Sequence, residues 1–279
     1  VGTMKIAVSA WSLQKLLFKD KMNIFEFLDF AFEQGVDGVE LLDCFWKTPK
    51  QIQEVKKKVD GNNWDIACYS IGNDFVTLDD SELEGQIIAV KQGIDVAADL
   101  GTKLLRVFSG NSKQGISYDQ GMEKILKGFK ECAPYAEEKG ITMVLENHGL
   151  FAGKSDQVLA ILEEVGSPNL KANADTGNFL LVLEDPLEAI KNLGKQVGFV
   201  HFKDFKKLAE ENGKETYSAL DSTLYQGTPI GKGDVPLKEI VSYLDDIGYD
   251  GYLSIEYEGV GDPIEETKES IEFLKGLAL

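Results

Sequence analysis

The chain has 279 residues, of which 43% are hydrophobic, and a formal net charge of −18. That length suits a single α/β barrel, and that apolar fraction can fill a large core. The acidity argues against nucleic acid or an anionic membrane as partner, because both call for clustered positive charge.

Val1-Gly2-Thr3 ahead of Met4 reads as a cloning remnant, so one domain over 4–279 is expected. Met4–Ala10 alternates as a strand and runs into Trp11-Ser12. Asn23 caps a helix to about Gln34, stopped by Gly35. Val36–Leu42 is a second strand, and Thr48-Pro49 opens a helix to about Asp60. Trp64–Ile71 is the third strand, followed by the turn Gly72-Asn73-Asp74. Asp79 and Asp80 start a long helix ending near Gly101. Lys103–Phe108 is the fourth strand, with a helix from about Tyr118 to Lys139 behind it.

The fifth strand lies in Ile141–Gly149 and ends in the polar residues Glu146, Asn147 and His148. Lys154–Val165 is the fifth helix and Leu170–Ala174 the sixth strand. Asp185-Pro186 places proline at a first helical position. Val197–Lys203 is the seventh strand; Asp234 is expected to cap the helix that ends at Gly248. Gly251–Tyr257 is the eighth strand, and Asp262-Pro263 starts the last helix. Strict alternation of strands and helices predicts a parallel sheet, closed as a single (β/α)₈ TIM barrel. The long connection at 205–233, with Tyr217, Tyr225 and several glycines, reads as a lid.

Few residue types are scarce enough to be informative. Cys44, Cys68 and Cys132 are odd in number and widely spaced, which fits free thiols in a reducing cytoplasm. No apolar run is long enough to span a membrane, and no leader pattern opens the chain. Arg106 is the single arginine among 29 basic residues. Its rigid bidentate fork suits an interior task.

Period-2 alternation assigns each strand's faces. Val39, Leu41, Leu105, Val107, Val200, Phe202, Leu253 and Ile255 turn toward the helices. Glu40, Arg106, Glu146, His148, Asp175, His201, Lys203 and Glu256 therefore turn inward. Glu146, Asp175, His201 and Glu256 end four consecutive strands around one mouth. Three carboxylates confined with one imidazole call for a counter-cation. The oxygen-rich set fits Mn²⁺ first, with Mg²⁺, Co²⁺ or Zn²⁺ as alternatives.

Six segments together resemble the xylose-isomerase-like TIM-barrel superfamily, specifically its sugar phosphate isomerase/epimerase branch. They are GVDGVEL (Gly35–Leu41), VLENHG (Val144–Gly149), SPNLKANADTGN (Ser167–Asn178), HFKD (His201–Asp204), GKGDVPLKEIVSYL (Gly231–Leu244) and GYDGYLSIEYEG (Gly248–Gly259). The resemblance implies that Glu146, Asp175, His201 and Glu256 occupy the metal-ligand positions of ketose 3-epimerases. It also implies that Glu146 and Glu256 exchange the substrate proton. Those epimerases commonly place histidine where this chain has Asn178; His148 is the candidate to replace it.

The resulting expectation is a metal-dependent isomerase or epimerase of a sugar or sugar-derived keto compound, working by proton transfer through a cis-enediolate held at the metal. Arg106, Lys203, Glu40, Asn178 and His148 would contact substrate, and Trp11, Trp46, Phe75 and Phe108 would wall it. The alternative is a dehydratase or lyase of an inosose- or dehydroshikimate-type keto-polyol at the same site; a non-catalytic sugar-binding barrel ranks third. A DNA-repair role like that of endonuclease IV is excluded by two histidines and the negative charge. The expected partner is a small molecule, with a homo-oligomer left open.

Overall fold

The computed structural model describes residues 4–277; Val1-Gly2-Thr3 lie outside them. The strands run β1 Lys5–Ser9, β2 Gly38–Leu42, β3 Asp65–Ser70, β4 Leu104–Val107, β5 Thr142–Glu146, β6 Leu170–Asp175 and β7 Val197–Phe202. An inserted group follows, β8 Phe205–Leu208, β9 Tyr217–Ser218 and β10 Leu224–Gly227, and then β11 Tyr252–Ile255. β1 to β7 and β11 close into one ring in chain order, every pair parallel. The TIM barrel read from the alternation is the fold.

Helices α1 Gln14–Leu17, α2 Ile24–Glu33, α3 Lys50–Gly61, α4 Asp80–Leu100, α5 Tyr118–Lys139 and α6 Ser155–Val165 lie in the first half of the ring. α7 Asn178–Leu181, α8 Pro186–Leu193, α9 Leu237–Asp246 and α10 Pro263–Lys275 complete it. Local chemistry sets several ends. Asn23 and Glu26 form a reciprocal capping box on α2, and Gly101 and Gly140 end α4 and α5 in left-handed conformation. Among the described residues no helix is long and apolar enough to cross a membrane.

Two apolar clusters separate along the strand faces. The outward residues Val39, Leu41, Leu105, Val107, Val200, Phe202, Leu253 and Ile255 belong to the large core between barrel and helices. Ala7, Ala67, Cys68, Val144 and Phe199 plug the barrel itself. Above this plug the inward face becomes polar. Register places Asp175 beside His201 and His201 beside Ser254, with Glu146 beside Asn173. The polar ends thus converge at the C-terminal mouth, where barrel sites are built from strand ends and following loops.

Two expectations change. Asp234 does not cap α9, which starts at Leu237 after Pro236. Its carboxylate instead accepts a hydrogen bond from Lys207 N (2.7 Å) and pairs with Lys206 (3.1 Å). The 205–233 connection carries an antiparallel sheet, β8-β10-β9, within it. It is fastened to the mouth: Gly227 bridges to Gly259, and a Cβ at Gly227 would sit 1.9 Å from the Glu258 carbonyl oxygen.

Candidate metal centre

Glu146 ends β5, Asp175 ends β6, His201 lies near the end of β7, and Glu256 follows β11. One ligand atom from each falls within 4.8 Å of all the others, and all four residues are buried. His201 Nδ1 faces this cluster, 3.2 Å from Glu256 Oε2 and 3.5 Å from Glu146 Oε2. Its Nε2 lies 2.8 Å from Glu40 Oε2 on the opposite side. Ser70 and Ser254 hydroxyls hold Glu40 at 2.6 and 2.7 Å. A carboxylate behind an imidazole fixes its tautomer and orientation, as in carboxylate–histidine–metal relays.

Glu40, expected to contact substrate, is placed away from the cavity. It sits behind His201, is 1% exposed, and does not line the cavity.

Of the remaining carboxylates, Glu146 is held through both oxygens, whereas Asp175 and Glu256 each keep one oxygen without a hydrogen bond. Asp175 Oδ1 accepts from the backbone N–H of Gly177 and Asn178 at 3.0 and 2.9 Å. Asn147 grips the Asp175 backbone through both amide atoms. Arg106 Nη1 donates to Glu146 Oε2 at 2.6 Å, and Asn178 Nδ2 to Glu146 Oε1 at 3.2 Å. Lys203 Nζ stands 3.0 Å from Asp175 Oδ2 and 3.2 Å from Glu256 Oε2. Yet neither oxygen accepts a well-aligned hydrogen bond, and the Asn173 side-chain oxygen is likewise unsatisfied. Buried acceptors left unmade are costly unless something else coordinates them. Bare carboxylate oxygens converging with one imidazole nitrogen fit a hard divalent cation, so the cluster can bind a metal ion.

Charge is distributed unevenly among these groups. Burial pushes Glu256 up to about 8, reinforced by Glu146 and Asp175 and opposed by His201 and Lys203. Burial also works to raise Glu146, but Arg106, His201 and Lys203 overcome it and hold that carboxyl well below the usual range. His201 is driven the other way: burial lowers it, and Glu256, Glu40 and Glu146 together raise it well above an ordinary imidazole. Without metal, His201 holds its proton more tightly than an ordinary imidazole, and Glu256 holds one more tightly than an ordinary carboxyl. A cation has to displace those protons. Mn²⁺ affinity should fall as pH drops below about 8. Calorimetric titration at pH 7 in buffers of different ionisation enthalpy should show proton release on binding; buffer-independent heats would contradict it.

A cavity of about 330 Å³ opens onto the cluster. Trp11, Phe18, Leu42 and Phe108 form its apolar wall; Arg106, His148, Lys203, Asp43 and Glu258 add polar groups. The Arg106 guanidinium carbon stands over Phe108, 4.0 Å from the ring centroid. Trp46 and Phe75 are not on the wall. Trp46 turns away to donate to the Tyr69 hydroxyl (3.1 Å), and Phe75 is fully buried against Phe129. His148 lines the cavity, whereas Asn178 does not and instead braces Glu146 and Lys203.

Sequence reading missed three residues here. Glu258 pairs with Lys203 at 3.1 Å and accepts from Trp11 Nε1 at 2.9 Å. It stands two residues after Glu256, so extending the same alternation past the strand end would have found it. Asn147 sits within the quoted VLENHG segment. Phe18, beside the short α1, has no periodic signal.

The sequence profile described as xylose isomerase-like TIM barrel matches residues 28–277. The chain belongs to the xylose isomerase-like TIM barrel family. Within reach of this family, a protein of Clostridium perfringens named inosose dehydratase is 24% identical over 97% of this chain and 95% of its own length. A xylose isomerase domain protein from Planctomyces limnophilus superposes with TM-score 0.76 at 21% identity, covering 99% of this chain and 97% of that one. An L-ribulose 3-epimerase superposes with TM-score 0.77 at 18% identity, covering 98% and 94%. At these identities the two superpositions establish a shared fold.

Proposed function

We propose that this family member is a metal-dependent lyase that removes water from a keto-polyol of the inosose type. Glu146, Asp175, His201 and Glu256 would hold the metal. One divalent cation there would polarise the substrate carbonyl and acidify the neighbouring C–H. The observation that carries the reading is Glu256: buried, lining the cavity, with one oxygen unsatisfied beside the donor cluster. Glu146, held strongly ionised by Arg106, is the weaker base.

Glu256 takes the proton from the carbon next to the carbonyl. The hydroxyl on the following carbon departs with the C–O electron pair, and Glu256 returns the same proton to it. Hydrogen and hydroxyl leave together as water, and the carboxylate is regenerated. Lys203, a fixed ammonium 3.2 Å from Glu256 Oε2, steadies the negative charge that develops on the departing oxygen. Arg106 keeps Glu146 ionised, so it can accept hydrogen bonds from substrate hydroxyls. Phe108 and Trp11 shield the carbon face from water. The inosose dehydratase likeness over nearly the full chain supports elimination. So does Asn178, which stands where ketose 3-epimerases commonly carry histidine.

A second reading is favoured by Glu146 lining the cavity from β5, two ring positions beyond β7, while Glu256 lines it from β11. A proton taken by one glutamate and returned to carbon by the other gives epimerisation. Mass spectrometry separates the two readings. Mn²⁺-loaded protein given an inosose should yield a product lighter by one water; an isomer of unchanged mass would move the conclusion to epimerisation.

A further inference from the structure

Keto-polyols occur uncharged, as phosphate esters and as carboxylic acids. In TIM barrels a phosphate is frequently held by backbone amides of the loops after the seventh and eighth strands. This chain has a glycine-rich turn at the first of those places, Gly231-Lys232-Gly233. Its amides are already taken. Asp204 Oδ2 accepts from Gly231 N (2.9 Å) and Gly233 N (2.8 Å), and Oδ1 accepts from Val235 N (3.2 Å). Asp204 is 2% exposed, and it approaches the turn so closely that a Cβ at Gly233 would lie 2.0 Å from its Oδ1. The chain's own carboxylate fills the anion cradle.

The two cationic side chains at the cavity are themselves paired with the chain's own carboxylates. Arg106 is bonded to Glu146 and to the Ile71 carbonyl, with its guanidinium over Phe108 and its Nε–H without a partner. Lys203 Nζ has four oxygens around it, from Asp175, Glu256, Glu258 and Asn178, all between 3.0 and 3.3 Å. The backbone N–H of Gly72, on the lining, donates to Asp43 at 3.1 Å. Against these cations stand Asp43, Glu146, Glu256 and Glu258 on the cavity, with Asp175 and Glu40 directly behind. Even a divalent cation in the cluster leaves these surroundings anionic.

We propose that the cavity selects uncharged keto-polyols and rejects phosphate esters and carboxylates, and that Glu258 is the residue that sets this preference. The proposal rests on the keto-polyol reading above. Glu258 supplies a carboxylate that does not belong to the metal cluster and occupies one side of the Lys203 ammonium. Trp11 Nε1 holds it in place. Glu258→Gln keeps an oxygen for Trp11, removes the charge and releases part of Lys203.

Calorimetric binding to Mn²⁺-loaded protein tests this separately from turnover. The probes are an inosose, a free ketohexose, its phosphate ester and 3-dehydroshikimate. At low salt the two anions should bind at least about 100-fold more weakly than the uncharged ligands, since like charge in a confined interface is strongly disfavoured. Raising ionic strength should narrow that gap. Glu258→Gln should shift the ratio toward the anions by about tenfold or more. An anion that binds as tightly as its uncharged counterpart overturns the proposal, and an unchanged ratio in Glu258→Gln overturns the role of Glu258. An uncharged ligand that binds but comes back with its mass unchanged counts against the lyase reading and upholds the charge preference. No binding by any probe overturns both.

Discussion

Glu256→Gln should fold normally and lose turnover by about 10²–10⁴-fold, the usual share of a positioned general base. The amide keeps the size and shape of the carboxylate, so the β11 end and the cavity wall should survive. It can neither accept the substrate proton nor return it. With an inosose deuterated at the carbon next to the carbonyl, loss of that deuterium should therefore stop, a readout that separates lost proton transfer from lost binding. Glu256 is also part of the donor cluster, so metal content has to be measured alongside. A variant that retains metal and still removes that deuterium at the wild-type rate would remove Glu256 from the chemistry.

The second large effect is on stability. A ligand that binds only the folded chain at a hundred times its Kd adds about 2.7 kcal/mol. In a domain of roughly this size each 1 kcal/mol moves Tm by about 2–4 °C. Saturating Mn²⁺ should then raise Tm by about 5 °C or more, and a chelator should reverse the gain. His201→Asn should abolish the rise. Glu40→Gln should leave all four ligands in place yet weaken Mn²⁺ binding about 10–100-fold, as for other partners of metal-bound histidines. Equal Mn²⁺ affinity in wild type and Glu40→Gln would show that the 2.8 Å contact to His201 does not orient the ring.

How far these residues could be read from sequence followed from where each one sits. Within strands the pleat alternates strictly, so Val200 and His201 or Ile255 and Glu256 could be assigned to opposite faces from neighbours alone. Height along the barrel axis could not be read that way. Glu40 faces inward like the other carboxylates, but strand stagger places it behind His201, and an irregularity between Val39 and Glu40 lies at that point. Beyond strand ends periodicity lapses. Trp46 and Phe75 were set on the wall for following strands, whereas the chain turns one toward Tyr69 and buries the other. The β8-β10-β9 sheet escaped notice because its strands are short and face solvent with polar side chains such as Lys206, Lys207 and Gln226. Asp234 had the right chemistry for a cap, but Pro236 separates it from the first turn of α9.

The central claim is that Glu146, Asp175, His201 and Glu256 form one metal centre from which the chemistry proceeds. Crystals grown with Mn²⁺ and measured at the manganese absorption edge test it most directly. The account predicts one strong anomalous peak bounded by these four side chains, facing His201 Nδ1. No peak there, with Lys203 still seated against Asp175 and Glu256, would contradict it.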